Sequence, residues 1–214
     1  MIITNFKTYE QATGDKAVAL AKVHETVARE MSAPIWIAVQ AIDLARVCAA
    51  VNIPVLAQHV DPVGYGNSTG SVMPEAVKMA GAKGTLLNHS ERRLNREILG
   101  QAIARCKEVG LITVVCAKDP EEGASFLEFN PDFIAVEPPD LIGGDVSVTT
   151  RPEVVTKSVE LIGSEKLLVG AGVKNGQDVH KAVQLGAKGV LLASGVTKAK
   201  DPKAVLVDLA KGLL

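Results

Sequence analysis

Three residues of unlike charge stand where short apolar runs give way to polar sequence. Lys7 follows "MIITNF" (1–6), His89 follows "GTLLN" (84–88), and Glu137 closes "DFIAVE" (132–137). Together they suit one kind of chemistry. A carboxylate can take a proton from the carbon beside a carbonyl, a neutral imidazole can donate to the carbonyl oxygen, and a fixed cation can offset the charge of the resulting enediolate. Two further stretches, "GAGV" (170–173) and "ASGV" (193–196), are small enough for backbone N–H groups to approach an anion such as a phosphate. Taken singly, each feature has a plainer reading. His89 alone suits a capping or core position, Lys7 a solvated strand end, and Glu137 before two prolines the close of a strand. Glycines serve any tight strand-to-helix turn.

What joins them is the order of elements. Near-continuous apolar runs fall at 1–6, 35–39, 54–58, 84–88, 111–117, 132–137, 167–171 and 189–193, the pattern of strands buried on both faces. Helical patterns lie between them. The stretch 14–31 carries apolar residues at three- and four-residue steps. The stretch 95–110 does the same and stops at Gly110, and 201–214 opens with Asp201 and Pro202 as cap and first turn. Eight successive strand–helix units predict parallel strands with right-handed crossovers. No run has the polar signature of an edge, so the predicted α/β fold is a closed (β/α)8 barrel, a single domain over residues 1–214, rather than an open sheet. Active groups of such barrels come from the C-terminal ends of the strands. There lie Asn5 and Lys7, then His89, Ser90 and Glu91, then Glu137, and last the two glycine-rich loops. The short helices cover the barrel thinly, which predicts an oligomer.

Composition narrows the classes. With 23 basic and 24 acidic residues, a net charge of −1 leaves no electrostatic footprint for nucleic acid or an anionic membrane surface. No apolar run is long enough to span a bilayer, and the first strand meets Lys7 too early for a signal peptide. Cys48, Cys106 and Cys116 are odd in number and form no C-x-x-C pair, which predicts reduced thiols and a cytoplasmic setting. His24 and His180 sit in helical patterns without ligand spacing, and His59 with Asp61 is too sparse for a metal site. "GYGNSTG" (64–70) lacks the spacing and the following helix of a dinucleotide loop.

The motifs resemble those of the triosephosphate isomerase family along the whole chain. "NFK" (5–7) is similar to its N-x-K strand-one motif and "NHSERR" (88–93) to its G/N-H-S-E-R-R segment. "VEPPDLIGG" (136–144) is similar to its glutamate and lid, while "GAG" and "AS" resemble its phosphate loops. The compact length and lid resemble the short archaeal-type branch. The resemblance implies a TIM barrel that interconverts dihydroxyacetone phosphate and D-glyceraldehyde 3-phosphate in glycolysis and gluconeogenesis, without cofactor or metal. Glu137 would be the base and His89 the neutral electrophile, its pKa lowered by a helix N-terminus as in the family. Lys7, paired with Glu91, would offset charge, and Asn5 would orient substrate oxygens. Ile142, Gly172, Ala193 and Ser194 match positions whose N–H groups hold phosphate. Pro138, Pro139, Leu141, Ile142, Gly143 and Gly144 would form the lid. Ser90 would meet Glu137 when the lid is open, and Cys116 would pack near the site. The family forms dimers, with tetramers in the short branch, so a homo-oligomer of either size is implied. "STG" (68–70) resembles the loop tip that enters a neighbouring subunit, although Ser71 follows where longer forms carry glutamate. Strand seven lacks the serine of the longer forms' Gly-Gly-Ser, having Ala171 instead, so phosphate contacts there would be mostly backbone, and the lid has no tryptophan. Two alternatives stay open at this stage. One is another phosphate-binding barrel enzyme, such as a pentose-phosphate epimerase or an indole-type synthase, with metal ligands or a different lysine pattern. The other is a barrel that binds sugar phosphates without catalysis.

Overall fold

The computed structural model describes residues 1–141 and 147–214. Eight parallel strands close on one another in sequence order. They are β1 (Ile2–Asn5), β2 (Ile35–Val39), β3 (Val55–Ala57), β4 (Gly84–Leu87), β5 (Ile112–Ala117), β6 (Phe133–Val136), β7 (Leu167–Gly170) and β8 (Gly189–Leu192). The barrel shuts where Ile3 pairs with Leu191 across β1 and β8. β2 matches its apolar run, and the other seven strands are shorter than theirs, because the flanking residues turn into loops.

The period of two in a strand sorts side chains into two cores. Facing inward, Ile3, Ala38, Leu56, Leu86, Val114, Ala135, Leu168 and Leu191 form one cluster, with one of these residues from each strand. Met1, Trp36 and Phe133 pack against it, Trp36 meeting Phe133 edge-on at 6.0 Å between centroids. Alternate residues, such as Ile37, Val55, Leu87 and Val169, join the larger core shared with the helices.

The same parity explains the mouth. Two positions beyond those eight interior residues the chain reads Asn5, Gln40, Gln58, Asn88, Cys116, Glu137, Gly170 and Ala193. The apolar filling thus stops, and a mainly polar or small layer replaces it at the C-terminal ends of the strands.

Helices α1 (Asp15–Met31), α2 (Leu44–Cys48), α3 (Pro74–Met79), α4 (Arg96–Val109) and α5 (Pro120–Ser125) follow the first five strands. After β6, β7 and β8 come α6 (Pro152–Ile162), α7 (Gly176–Gln184), and then α8 (Ser194–Thr197) with α9 (Pro202–Lys211). Local sequence sets their ends. The Asn95 side chain accepts the Ile98 N–H at 2.8 Å to open α4, and Gly110 closes it in the left-handed region at φ 77°. Asp201 caps α9 through the Ala204 N–H at 3.0 Å, as its place before Pro202 predicts. α1 buries Ala17, Leu20, Ala21, His24 and Val27, one stripe at helical spacing.

Candidate active site

Asn5 ends β1, and its side-chain carbonyl accepts the Lys7 backbone N–H at 3.0 Å. This tight loop holds Lys7 in the left-handed region at φ 46°, a strained conformation for a residue with a Cβ. The Lys7 side chain is only 12% exposed and lines one cleft with His89 and Glu137. Its Nζ lies 2.6 Å from Glu91 Oε1. Glu91 is mostly exposed, so the pair contributes direction more than stability.

His89 follows β4. Asn88 before it is also left-handed, at φ 59°. The Asn88 amide donates to the Cys116 carbonyl and its oxygen accepts the Leu94 N–H, both at 2.9 Å. His89 then opens a single turn, closed by the Arg92 N–H on its carbonyl at 2.8 Å. Within it the Glu91 N–H donates to His89 Nδ1 at 3.2 Å. A ring nitrogen that accepts carries no hydrogen, so in the neutral imidazole Nε2 carries the proton. His89 Nε2 is 3.8 Å from Glu137 Oε2. Burial lowers the His89 pKa, the Lys7 cation lowers it further, and the Glu91 carboxylate opposes both. His89 opens a single turn rather than the regular helix, since α4 starts only at Arg96, and the N–H of Glu91 within that turn points at the imidazole.

Glu137 stands one residue past β6, inside the mouth, and is almost fully buried. Burial pushes its pKa up to about 7; a hydrogen bond with the Cys116 thiol and the Lys7 charge hold it back, and Glu91 raises it. The Cys116 pKa is itself pushed far up, by burial first and then by Glu137, so it stays a thiol. Glu137 Oε2 has no hydrogen-bond partner among the described residues. Gly170 makes room for this carboxylate. A Cβ there would lie 2.6 Å from Glu137 Cγ and 2.7 Å from Oε1. The glycine read as part of an anion loop is therefore also needed where Glu137 enters the barrel.

Past Gly170, Ala171 and Gly172 are both left-handed, at φ 74° and 70°. Ser194 and Gly195 open α8, where first-turn N–H groups have no acceptor within the helix. Gly172, Ala193 and Ser194 all line the cleft. After Glu137, Pro139–Leu141 form a 3-10 turn with Leu141 buried and its N–H on the Pro138 carbonyl at 3.0 Å. Ile142, Gly143 and Gly144 lie outside the described residues. Ser90 and Glu137 are not hydrogen-bonded to each other, but the two border a cavity of about 260 Å³ with Cys116 and Pro139.

Asn5, Lys7, His89, Glu137, Gly172, Ala193 and Ser194 thus meet at one cleft, with Glu91, Ser90 and Cys116 behind it. Sequence reasoning missed Tyr9, which also lines the cleft with Lys198 Nζ 4.6 Å above its ring. It missed Gln58 as well, although strand parity from Leu56 points to that position. His59 and Asp61 pair with each other. Nε2 of His59 lies 2.9 Å from Asp61 Oδ1, and Asp61 Oδ2 accepts the Val72 N–H at 2.7 Å, pinning the base of the loop between them. Among the described residues, no three His, Cys, Asp or Glu side chains gather as a metal site, and no helix is long and apolar enough to cross a membrane.

The family model described as "Triosephosphate isomerase" matches residues 1–212. The chain belongs to the triosephosphate isomerase family. A triosephosphate isomerase of Methanobacterium bryantii is 47% identical over 214 residues, covering 98% of this chain and 95% of the relative. Those of Methanothermus fervidus and Methanocaldococcus jannaschii are 46% and 43% identical, covering 98% and 99% of this chain and 96% and 99% of their own lengths. The family barrel and the cleft at its mouth are consequently described on nearly the full length that these relatives have.

Proposed function

We propose that this protein interconverts dihydroxyacetone phosphate and D-glyceraldehyde 3-phosphate, as an aldose–ketose isomerase working through an enediolate. The reading rests on family membership and, in the geometry, on one observation above others. A buried carboxylate with a pKa of about 7 and an unpartnered oxygen faces a neutral imidazole whose proton is on the near nitrogen. A base matched to neutral pH is strong enough to take a carbon-bound proton and weak enough to return it.

In this reading Glu137 removes a proton from the carbon beside the substrate carbonyl. The C–H electron pair becomes the new carbon–carbon double bond, and the carbonyl pair moves onto oxygen. His89 donates from Nε2 to that oxygen and passes a proton between the two oxygens. Glu137 then returns its proton to the neighbouring carbon. Lys7 offsets the negative charge, and Asn5 orients an oxygen. Backbone N–H groups of Gly172, Ala193 and Ser194, joined by Ile142, hold the phosphate. A lid from Pro138 through Gly144 excludes water and keeps the enediolate from losing phosphate. Ser90 receives Glu137 when the lid opens, and no cofactor or metal takes part.

Glycolysis and gluconeogenesis, the cytoplasm and a homo-oligomer, dimer or tetramer, complete the proposal. Exposed Ile42 and Met79, near an apolar groove between α2 and α3, support the oligomer. The deciding experiment is steady-state isomerisation of D-glyceraldehyde 3-phosphate by the purified protein with EDTA present. We expect kcat/KM approaching about 10⁸ M⁻¹s⁻¹. A folded protein that binds inorganic phosphate but shows no turnover would assign the barrel a binding role instead.

A further inference from the structure

Gln58 lies just past β3 and makes a set of contacts that no part of the mechanism above uses. Its Nε2 is 3.0 Å from the Lys7 carbonyl, 3.2 Å from Asn5 Oδ1 and 3.3 Å from the Ala38 carbonyl. All three neighbours are acceptors, so the nitrogen must be the atom facing them; the flipped amide would set an oxygen against three oxygens. Asn5 Oδ1 therefore receives two hydrogen bonds, one from Gln58 and one from the Lys7 backbone N–H. Both lone pairs of that oxygen are engaged. The other end of the Asn5 amide is the NH2 group, and Asn5 borders the cleft. Its NH2 is left to donate toward a substrate oxygen.

The same contact acts on the strained loop. Lys7, at φ 46°, is held from both sides: its N–H by Asn5 and its carbonyl by Gln58. Without the Gln58 donor, Asn5 would keep one fixed contact and the Lys7 peptide would lose one of its two restraints.

We infer that Gln58 is a positioning residue: it fixes the Asn5 amide as a donor toward the substrate and braces the Lys7 backbone that carries the ammonium group. This inference rests on the isomerase reading and deepens it. Gln58 need not touch substrate to act, so its removal should show in the behaviour of Asn5 and Lys7.

The test is a double-mutant cycle in the full-length protein. Gln58→Met keeps the length of the side chain and removes the donor; Asn5→Ala removes its partner. In the native background we expect Gln58→Met to lower kcat/KM by about tenfold to a hundredfold, the usual range for leaving buried polar partners unmatched. The inhibition constant for inorganic phosphate should rise as Lys7 loses its restraint. The acid limb of the pH profile, set by Glu137, should persist, since the substitution leaves that carboxylate in place. In the Asn5→Ala background the same substitution should cost several-fold less, because part of what Gln58 positions is already gone. Gln58→Leu, apolar and unable to donate, should reproduce the loss, which separates the missing donor from the particular packing of methionine. Equal losses in both backgrounds, or native kcat/KM in Gln58→Met, would overturn the inference while leaving the isomerase reading intact. Absence of turnover in the unsubstituted protein would overturn both.

Discussion

At the scale of single residues, the site is a set of groups held away from their comfortable states. Glu137 is the clearest. Its pKa, raised from 4.5 to about 7 mainly by burial, predicts an acid limb in kcat/KM with its midpoint near pH 7, since the base must be ionised. Glu137→Gln should lower turnover by about a hundredfold or more and abolish that limb. An unmoved limb in the variant would assign it to another group. The same shift carries a stability cost with a definite sign. Between pH 4.5 and about 7 the folded state binds this proton more tightly than the unfolded chain, so the contribution is fully present below 4.5 and is lost as pH rises through 7. Glu137→Gln should therefore gain stability relative to the parent at pH 8.5 but not at pH 4.5, by an amount on the order of 3 kcal/mol at most. Denaturant midpoints at the two pH values measure it. Gly170 shows the reverse dependence. With Glu137 Cγ 2.6 Å from where its Cβ would be, Gly170→Ala should push the carboxylate off its seat and reduce turnover, and a fully active variant would show that Glu137 works from elsewhere.

At the scale of elements, the strands were legible because burial on both faces leaves near-continuous apolar runs. Lys7, His89 and Glu137 were legible because a charge or an imidazole at the end of such a run is conspicuous. Gln58 was not. At the end of "PVLAQ" it looks like an ordinary polar boundary, and its importance lies in contacts with β1 and β2 that no local pattern records. Nor does the sequence around His89 tell a single turn from a helix start, because "HSERR" suits both. α1 illustrates a buried polar group within a legible element. His24 lies in the helix's apolar stripe, with Nδ1–H donating to the Leu20 carbonyl at 2.8 Å and Nε2 without a partner among the described residues. Burial lowers its pKa from 6.5 to about 4. The unfolded chain thus binds this proton first. Stability is whole above pH 6.5, falls as pH drops toward 4, and is flat below, by on the order of 3 kcal/mol. His24→Leu should flatten that limb without erasing it, because burial also lowers the His59 and His89 pKa values. An identical acid profile in the variant would show that His24 does not drive the transition.

At the scale of the whole molecule, the barrel separates its tasks by depth. One apolar layer holds the strands together, and the next layer up carries the polar groups, so changes in the upper layer leave most of the core untouched. The outside is less complete. Ile42 and Met79 are 82% and 71% exposed, and light scattering should give a mass at least twice that of the 22.4 kDa chain; a monomer at every concentration would contradict the proposed oligomer. The lower end of the barrel has a consequence of a different kind. The chain contains a single tryptophan, Trp36, set edge-on to Phe133 beneath the interior cluster. The molecule's one indole chromophore therefore sits at the opposite end from the chemistry. Its emission reports whether the barrel's lower end is shut, and it is a poor witness to anything that binds at the top.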